Sequence, residues 1–130
     1  MLLRKPKSVW VRGERAAARY LARHGMRVIG RNVRLAMGEI DILCLEKSTG
    51  TLVIVEVKAR AYRSDATKGI DPMASITRKK QAKLCTLARA LKQIPEYAPR
   101  PIRIDAVAVR FIEGRRKPEI THYPGCVGER

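Results

Sequence analysis

Two short runs separated by a turn constrain this chain more than any other feature in it. Glu39 to Leu45 alternates polar and apolar residues and is rich in branched side chains. Lys47-Ser48-Thr49-Gly50 has the composition of a turn, and Leu52 to Lys58 is strongly β-branched. Together they predict a β-hairpin. Side chains on a strand alternate faces, so Glu56 and Lys58 point one way while Val53, Val55 and Val57 point the other, into a core. With Ser48-Thr49 at the centre of the turn, Leu45 opposes Leu52, and carrying that register back sets Asp41 across from Glu56.

Two carboxylates and an ammonium therefore converge. Directly opposed Cβ atoms lie roughly 4.5 to 5.5 Å apart, a separation at which like charges weaken the hairpin unless a cation sits between them. A hard divalent ion, Mg²⁺ or Mn²⁺, suits oxygen ligands such as Asp41, Glu56 and the carbonyl of Val57. Lys58 is then placed to orient or deprotonate a water and to steady charge on a phosphate under attack. The bland alternative is an ordinary cross-strand ion pair. Two acids and a base on an otherwise apolar face are costly to keep as structure alone, which favours the functional reading.

The partner is suggested by charge. Lys and Arg number 28 against 12 Asp and Glu, a formal net charge of +16 in 130 residues, which repels itself without an anionic partner. Nucleic acid leads over ribosome or membrane lipid on this ground, although charge alone does not make an enzyme. The length suits a single domain over residues 1–130, with residues 1–8 and 124–130 expected to fray. Cys44, Cys85 and Cys126 are widely spaced, form no C-x-x-C pair and suggest no zinc site. Cys44 and Cys85 read as small buried hydrophobes. No apolar run has signal-peptide or membrane-spanning length, so the expected location is the cytoplasm.

The remaining elements frame the hairpin. Val9 to His24 reads as a helix stopped by Gly25, with Glu14 expected in its first turn and Arg15, Arg19 and Arg23 along one face. Arg27-Val28-Ile29 is a short β-type run broken by Gly30 and Asn32. Ala59 to Asp71 reads as a long loop whose Arg60, Arg63 and Lys68 could close over a phosphate backbone. Thr77 is a plausible N-cap for a helix reaching Ile94, ended by Pro95, with Lys80 and Gln81 at its start. Ile102 to Ile112 alternates as a third main strand, and Ile120 to Tyr123 suggests a short edge strand. This order fits an α/β fold in which a mixed sheet is flanked by helices. Glu39 shares the face of Asp41 and is better suited to an ion pair with an arginine than to metal. Arg103 and Asp105 share a face as a structural pair, and neither His24 nor His122 has a telling partner.

The residues Gly38-Glu39-Ile40-Asp41 and Val55-Glu56-Val57-Lys58-Ala59-Arg60 resemble the signature of the small bacterial family UPF0102, also called YraN. That family is similar to archaeal Holliday junction resolvases of the PD-(D/E)xK, restriction-endonuclease-like superfamily. The likeness extends to Gly13-Glu14 with Ala17 and Tyr20-Leu21, Arg31-Asn32, Thr77 with Lys80-Gln81, and Arg103-Ile104-Asp105. It implies a restriction-endonuclease-like core with a central mixed β-sheet, Asp41 and Glu56 as metal ligands, Glu14 as an additional acid and ligand, and Lys58 as the catalytic lysine. It also implies magnesium dependence and often a homodimer where the target is a branched junction. The resulting expectation is a metal-dependent endonuclease on structured or branched DNA, with Arg60, Arg63, Lys68, Lys80 and Gln81 contacting nucleic acid. The alternatives are a non-catalytic nucleic-acid-binding protein of the same fold, or a basic accessory protein of a nucleoprotein complex.

Overall fold

A computed structural model describes residues 8–63 and 72–127. Its elements run α1 (Val9–Arg23), β1 (Met26–Leu35), β2 (Gly38–Glu46), β3 (Leu52–Tyr62), a 3-10 turn at Pro72–Ser75, α2 (Arg78–Lys92), β4 (Ile102–Ile112) and β5 (Glu119–Val127). The strands form one sheet in sequence order. β2 pairs antiparallel with both β1 and β3, β3 and β4 are parallel, and β5 returns antiparallel to β4. The parallel pair requires a crossover, and α2 lies on that crossover. This is the α/β mixed sheet with flanking helices expected from the order of the predicted elements. Among the described residues, no helix is long and apolar enough to cross a membrane.

Each helix covers one face of the sheet. Ala17 and Leu21 of α1 pack on Ile42, Cys44, Val53, Val55, Val57, Val107 and Val109, while Leu84, Leu87 and Leu91 of α2 pack on Leu43, Leu52, Ile54 and Ile104. β3 is thus buried on both sides and splits its residues between the two layers, which is why it reads as an almost unbroken apolar run. Both helices start on side-chain caps. Ser8 Oγ accepts from Val11 N at 3.2 Å, and Thr77 Oγ1 accepts from Lys80 N at 3.2 Å. α1 stops where Gly25 takes a φ of 85°. α2 ends at Lys92, two residues short of the expected limit, because Pro95 disfavours helical geometry in the residue before it.

Several expectations need correction. Glu14 is the sixth residue of α1 and so belongs to its second turn. Gly30 and Asn32 do not break β1. The register slips between Val28 and Gly30, leaving Ile29 as the extra residue of a bulge, and Asn32 adopts a φ of 51° inside the strand. The residues from Ala59 to Tyr62 are strand rather than loop, because β4 supplies a full parallel ladder as far as Tyr62↔Ile112. β5 likewise extends to Val127, through most of the segment expected to fray.

Candidate metal and phosphate site

The hairpin folds in the expected register, with Leu45 opposite Leu52 and Ile42 opposite Val55. The ladder ends there, one position before Asp41 and Glu56, so these two residues are not a backbone-bonded pair. Instead Asp41 Oδ2 accepts a hydrogen bond from Val57 N at 2.8 Å, taking the place of a β2 carbonyl. Asn32 falls between the Arg31↔Ile42 and Val33↔Ile40 pairs, level with Asp41. Alternation in β2 also fails at this point, since Ile40 packs on the α2 side although Ile42 and Cys44 pack on the α1 side. The sheet is therefore irregular at the position that carries the first acid.

A cleft of about 470 Å³ opens where the β2–β3 ladder stops. Asp41, Glu56, Lys58 and Arg60 of the hairpin line it, together with Lys80, Lys83 and Leu84 from α2. Glu56 is 4% exposed. Its Oε1 lies 2.9 Å from Lys80 Nζ and 3.5 Å from Lys58 Nζ. The hydrogen bond to Glu56 holds the Lys80 ammonium above its ordinary pKa. Among the described residues, no cation forms an ion pair with Asp41. Burial, then the neighbouring charge of Glu56, push its carboxyl up to about 7, with Glu14 adding to the rise, and the Val57 N–H and Lys80 offset only part of it. Asp41, raised by burial and by a second acid, and Glu56, which Lys80 and Lys58 contact, both line the cleft with oxygen donors of the kind a hard divalent cation takes.

Glu14, on α1 as the resemblance implied, is buried next to the cleft rather than on its wall. It is 1% exposed, and its Oε1 accepts from Asn32 Nδ2 at 2.8 Å and faces Arg31 Nη2 at 3.5 Å. Its Oε2 is buried without a hydrogen-bond partner. The charge of Glu14 reaches Asp41, but Glu14 does not line the cleft. Among the described residues no group of three or more His, Cys, Asp and Glu side chains is disposed to hold a metal ion.

Of the residues expected to meet nucleic acid, Arg60 and Lys80 line the cleft. Arg63 lines a separate surface hollow with Arg12, Arg115 and Arg116. Gln81 turns its amide back to donate to the Ile76 carbonyl at 3.2 Å. Lys68 lies outside the described residues. Glu39 pairs with Arg34 at 3.5 Å, as its surroundings suggested, in an exposed contact of little energetic weight.

A second acidic centre was only half visible in the sequence. Asp105 does pair with Arg103, at 2.8 and 3.0 Å, and it also accepts from His122 Nε2 at 2.8 Å and from Gly125 N at 2.9 Å. His122 thus has a partner that sequence spacing hid, because β4 and β5 bring the two together across the sheet. Arg103 reaches Glu46 at 2.9 Å as well. Burial alone would raise Asp105, but His122, Arg103 and the Gly125 N–H together lower its carboxyl to about 2. Cys44 and Cys85 are buried as expected, and burial beside Asp105 pushes the Cys44 thiol up to about 12, which leaves it inert. Trp10 and Lys83 on the cleft wall were also not anticipated. The signal available for Trp10 was its helical spacing of three and four from Gly13 and Glu14.

Comparison with known proteins places these features in a family. The model of the uncharacterised protein family UPF0102 matches residues 13–109, which span both α1 from Gly13 onward and the hairpin. A UPF0102 protein of Mycobacterium avium is 41% identical over 113 residues, covering 87% of this chain and 84% of that protein. One from Roseiflexus castenholzii is 41% identical over 121 residues and covers 90% of each. Among solved structures, a repair endonuclease from Pyrococcus abyssi aligns with a TM-score of 0.41 at 18% identity, over 87% of this chain and 42% of that one. The chain belongs to the UPF0102 family.

Proposed function

We propose that this protein is a nuclease that hydrolyses phosphodiesters with the help of Mg²⁺ or Mn²⁺, acting on structured or branched DNA. The observation that carries the reading is the Asp41–Glu56 pair. Two neighbouring acids, one of them pushed up to about 7, face a cleft that Lys58, Arg60, Lys80 and Lys83 also line, with Glu39 as a further acid. Keeping such a pair costs stability, and perturbed acids in clefts mark functional sites more often than structural ones.

In this scheme Asp41 and Glu56 hold the ion, and the buried, half-satisfied Glu14 is the third acid proposed for it. The ion would supply Lewis acidity at the phosphate and make a bound water easier to deprotonate. Lys58 orients the attacking water and stabilises the charge that develops on phosphorus-bound oxygens. Lys80, Lys83 and Arg60 hold the flanking backbone, which positions the strand without reading its sequence. Cutting both strands of a four-way junction needs two such sites, so a homodimer accompanies that substrate.

One contact favours a second reading. Lys80 already sits 2.9 Å from Glu56 and supplies a built-in cation, as expected of a protein that binds nucleic acid without cleaving it. A cleavage panel of junction, flap, single-stranded and duplex DNA separates the two. The nuclease reading expects cutting that requires Mg²⁺ or Mn²⁺ and falls at least about a hundredfold in Lys58→Ala and Asp41→Ala, with DNA binding retained. Steeply salt-dependent binding with no cleavage of any substrate sinks it in favour of the second.

A further inference from the structure

We infer that Trp10 is a stacking platform for an unpaired base, and that the cleft takes a nucleic-acid strand with at least one unpaired nucleotide rather than continuous duplex. The inference rests on the nucleic-acid reading of the cleft but not on turnover.

Its starting point is the way α1 meets β3. A Cβ placed on Gly13 would overlap the Cβ of Ala59, so glycine lets the helix lie directly against the strand, next to Lys58. The buried stripe of α1 runs through Gly13, Glu14, Ala17 and Leu21. Trp10, three residues before Gly13, continues that stripe toward the N-terminus by helical spacing. A tryptophan on the inward stripe of a helix ordinarily fills core. Trp10 is instead 45% exposed and lines the cleft that holds Asp41 and Glu56. It is the one residue of α1 that does so.

The other side of the cleft specifies what the indole meets. Leu84 and Leu87 add apolar lining, and Lys58, Arg60, Lys80 and Lys83 outnumber the acids Glu39, Asp41 and Glu56 among the cleft's charged groups. A flat aromatic face beside cations that track a backbone is the arrangement by which proteins hold single strands. Every base offers a π-face, so the contact tolerates sequence. Size points the same way. A cleft of about 470 Å³ has room for a single nucleotide beside Trp10. A base in a duplex is already stacked on both faces and cannot also stack on Trp10. Flaps, frayed junction arms and single strands can.

The chain has one tryptophan, so its fluorescence reports on this residue alone. The full-length protein is titrated with a short oligothymidylate, with an abasic oligonucleotide of the same length, and with a blunt duplex, all without divalent ions. The expected result is quenching by the oligothymidylate and none by the abasic strand. Anisotropy of labelled strands then reads the variants. Trp10→Ala weakens oligothymidylate binding by about tenfold or more, the scale of one base–aromatic stack, and leaves abasic binding unchanged, whereas Trp10→Phe retains part of the loss. Equal affinity of wild type and Trp10→Ala for the oligothymidylate overturns the inference while leaving the nucleic-acid reading intact. So does quenching by duplex as strong as that by single strand. Failure of the wild type to bind any of the three overturns both.

Discussion

Asp41 and Asp105 are both strand residues of the same sheet, one half-buried on a cleft and the other wholly buried, and the protein treats them in opposite ways. Asp105 is wholly buried and surrounded by donors from Arg103, His122 and Gly125, which lower its carboxyl to about 2. Asp41 accepts from Val57 N and faces Glu56, and its carboxyl rises to about 7. The difference is one of satisfaction, since burial acts to raise both. An acid whose lone pairs are filled by the protein stabilises the fold, while an acid left short of donors beside another acid is held at a cost and is available to a ligand. The Asp105 centre ties β4 to β5 and, through Arg103, to Glu46 at the end of β2.

The largest way to break this comparison is to empty the satisfied centre. Asp105→Ala leaves Arg103 and His122 without their main partner, and removing one member of a buried pair costs about 3–5 kcal/mol. Arg103 keeps Glu46 and some access to solvent, which places the expected loss at the lower end. Urea unfolding of Asp105→Ala should therefore show a clear fall in midpoint, whereas a variant as stable as wild type would remove Asp105 from any structural role.

These centres were not equally legible in the sequence. The hairpin was readable because β-branched residues alternate around a short turn, and alternation alone puts Glu56 and Lys58 on one face. The pairing of Arg103 with Asp105 was readable for the same reason, being two residues apart on one strand. His122 was not, because its approach to Asp105 depends on how β5 pairs with β4, including a register shift between Ile104 and Ala106 that local spacing does not encode. β1 was underestimated because Gly30 and Asn32 carry turn chemistry, and only the long partner β2 converts them into a bulge and a left-handed residue within a strand. Glu14 was identified as an acid of interest, but its contacts with Asn32 and Arg31 depend on how α1 packs over β1, which no motif spacing reports.

A smaller effect of opposite sign is expected at the unsatisfied centre. Asp41→Asn removes a charge that burial and Glu56 disfavour while keeping an oxygen to accept from Val57 N. Folded Asp41 titrates near 7 against an ordinary 3.8, so between those values the folded state holds a proton that the unfolded chain has released. Stability from this group is therefore full below about 4 and falls as pH rises toward 7. For Asp105 the order reverses: its contribution is present above 3.8 and is lost as pH falls toward 2. Asp41→Asn should then be more stable than wild type by about 1–3 kcal/mol at pH 8, with the gain vanishing near pH 4. Equal stability of the two proteins at both pH values would mean that Asp41 is as well satisfied as Asp105, and the contrast between the centres would collapse.

The smallest expected effect bears most directly on what the unsatisfied centre is for. If Asp41 and Glu56 take a divalent ion, Mg²⁺ binds the folded state alone, and at tenfold above its dissociation constant it stabilises by about 1.4 kcal/mol. That increment should appear in wild type and be lost in Asp41→Asn, even though Asn at this position makes the metal-free protein more stable. Lys80 supplies the competing possibility, because its ammonium already lies against Glu56. Among the described residues, Lys80→Ala leaves Glu56 the longer Lys58 contact at 3.5 Å, so the Mg²⁺ increment should grow in that variant. An increment absent from wild type but present in Lys80→Ala would show that the protein neutralises its own acids. The Asp41 centre would then resemble Asp105 more closely than its raised carboxyl suggests, and the reading of this cleft as a binding surface without turnover would gain what the nuclease reading loses.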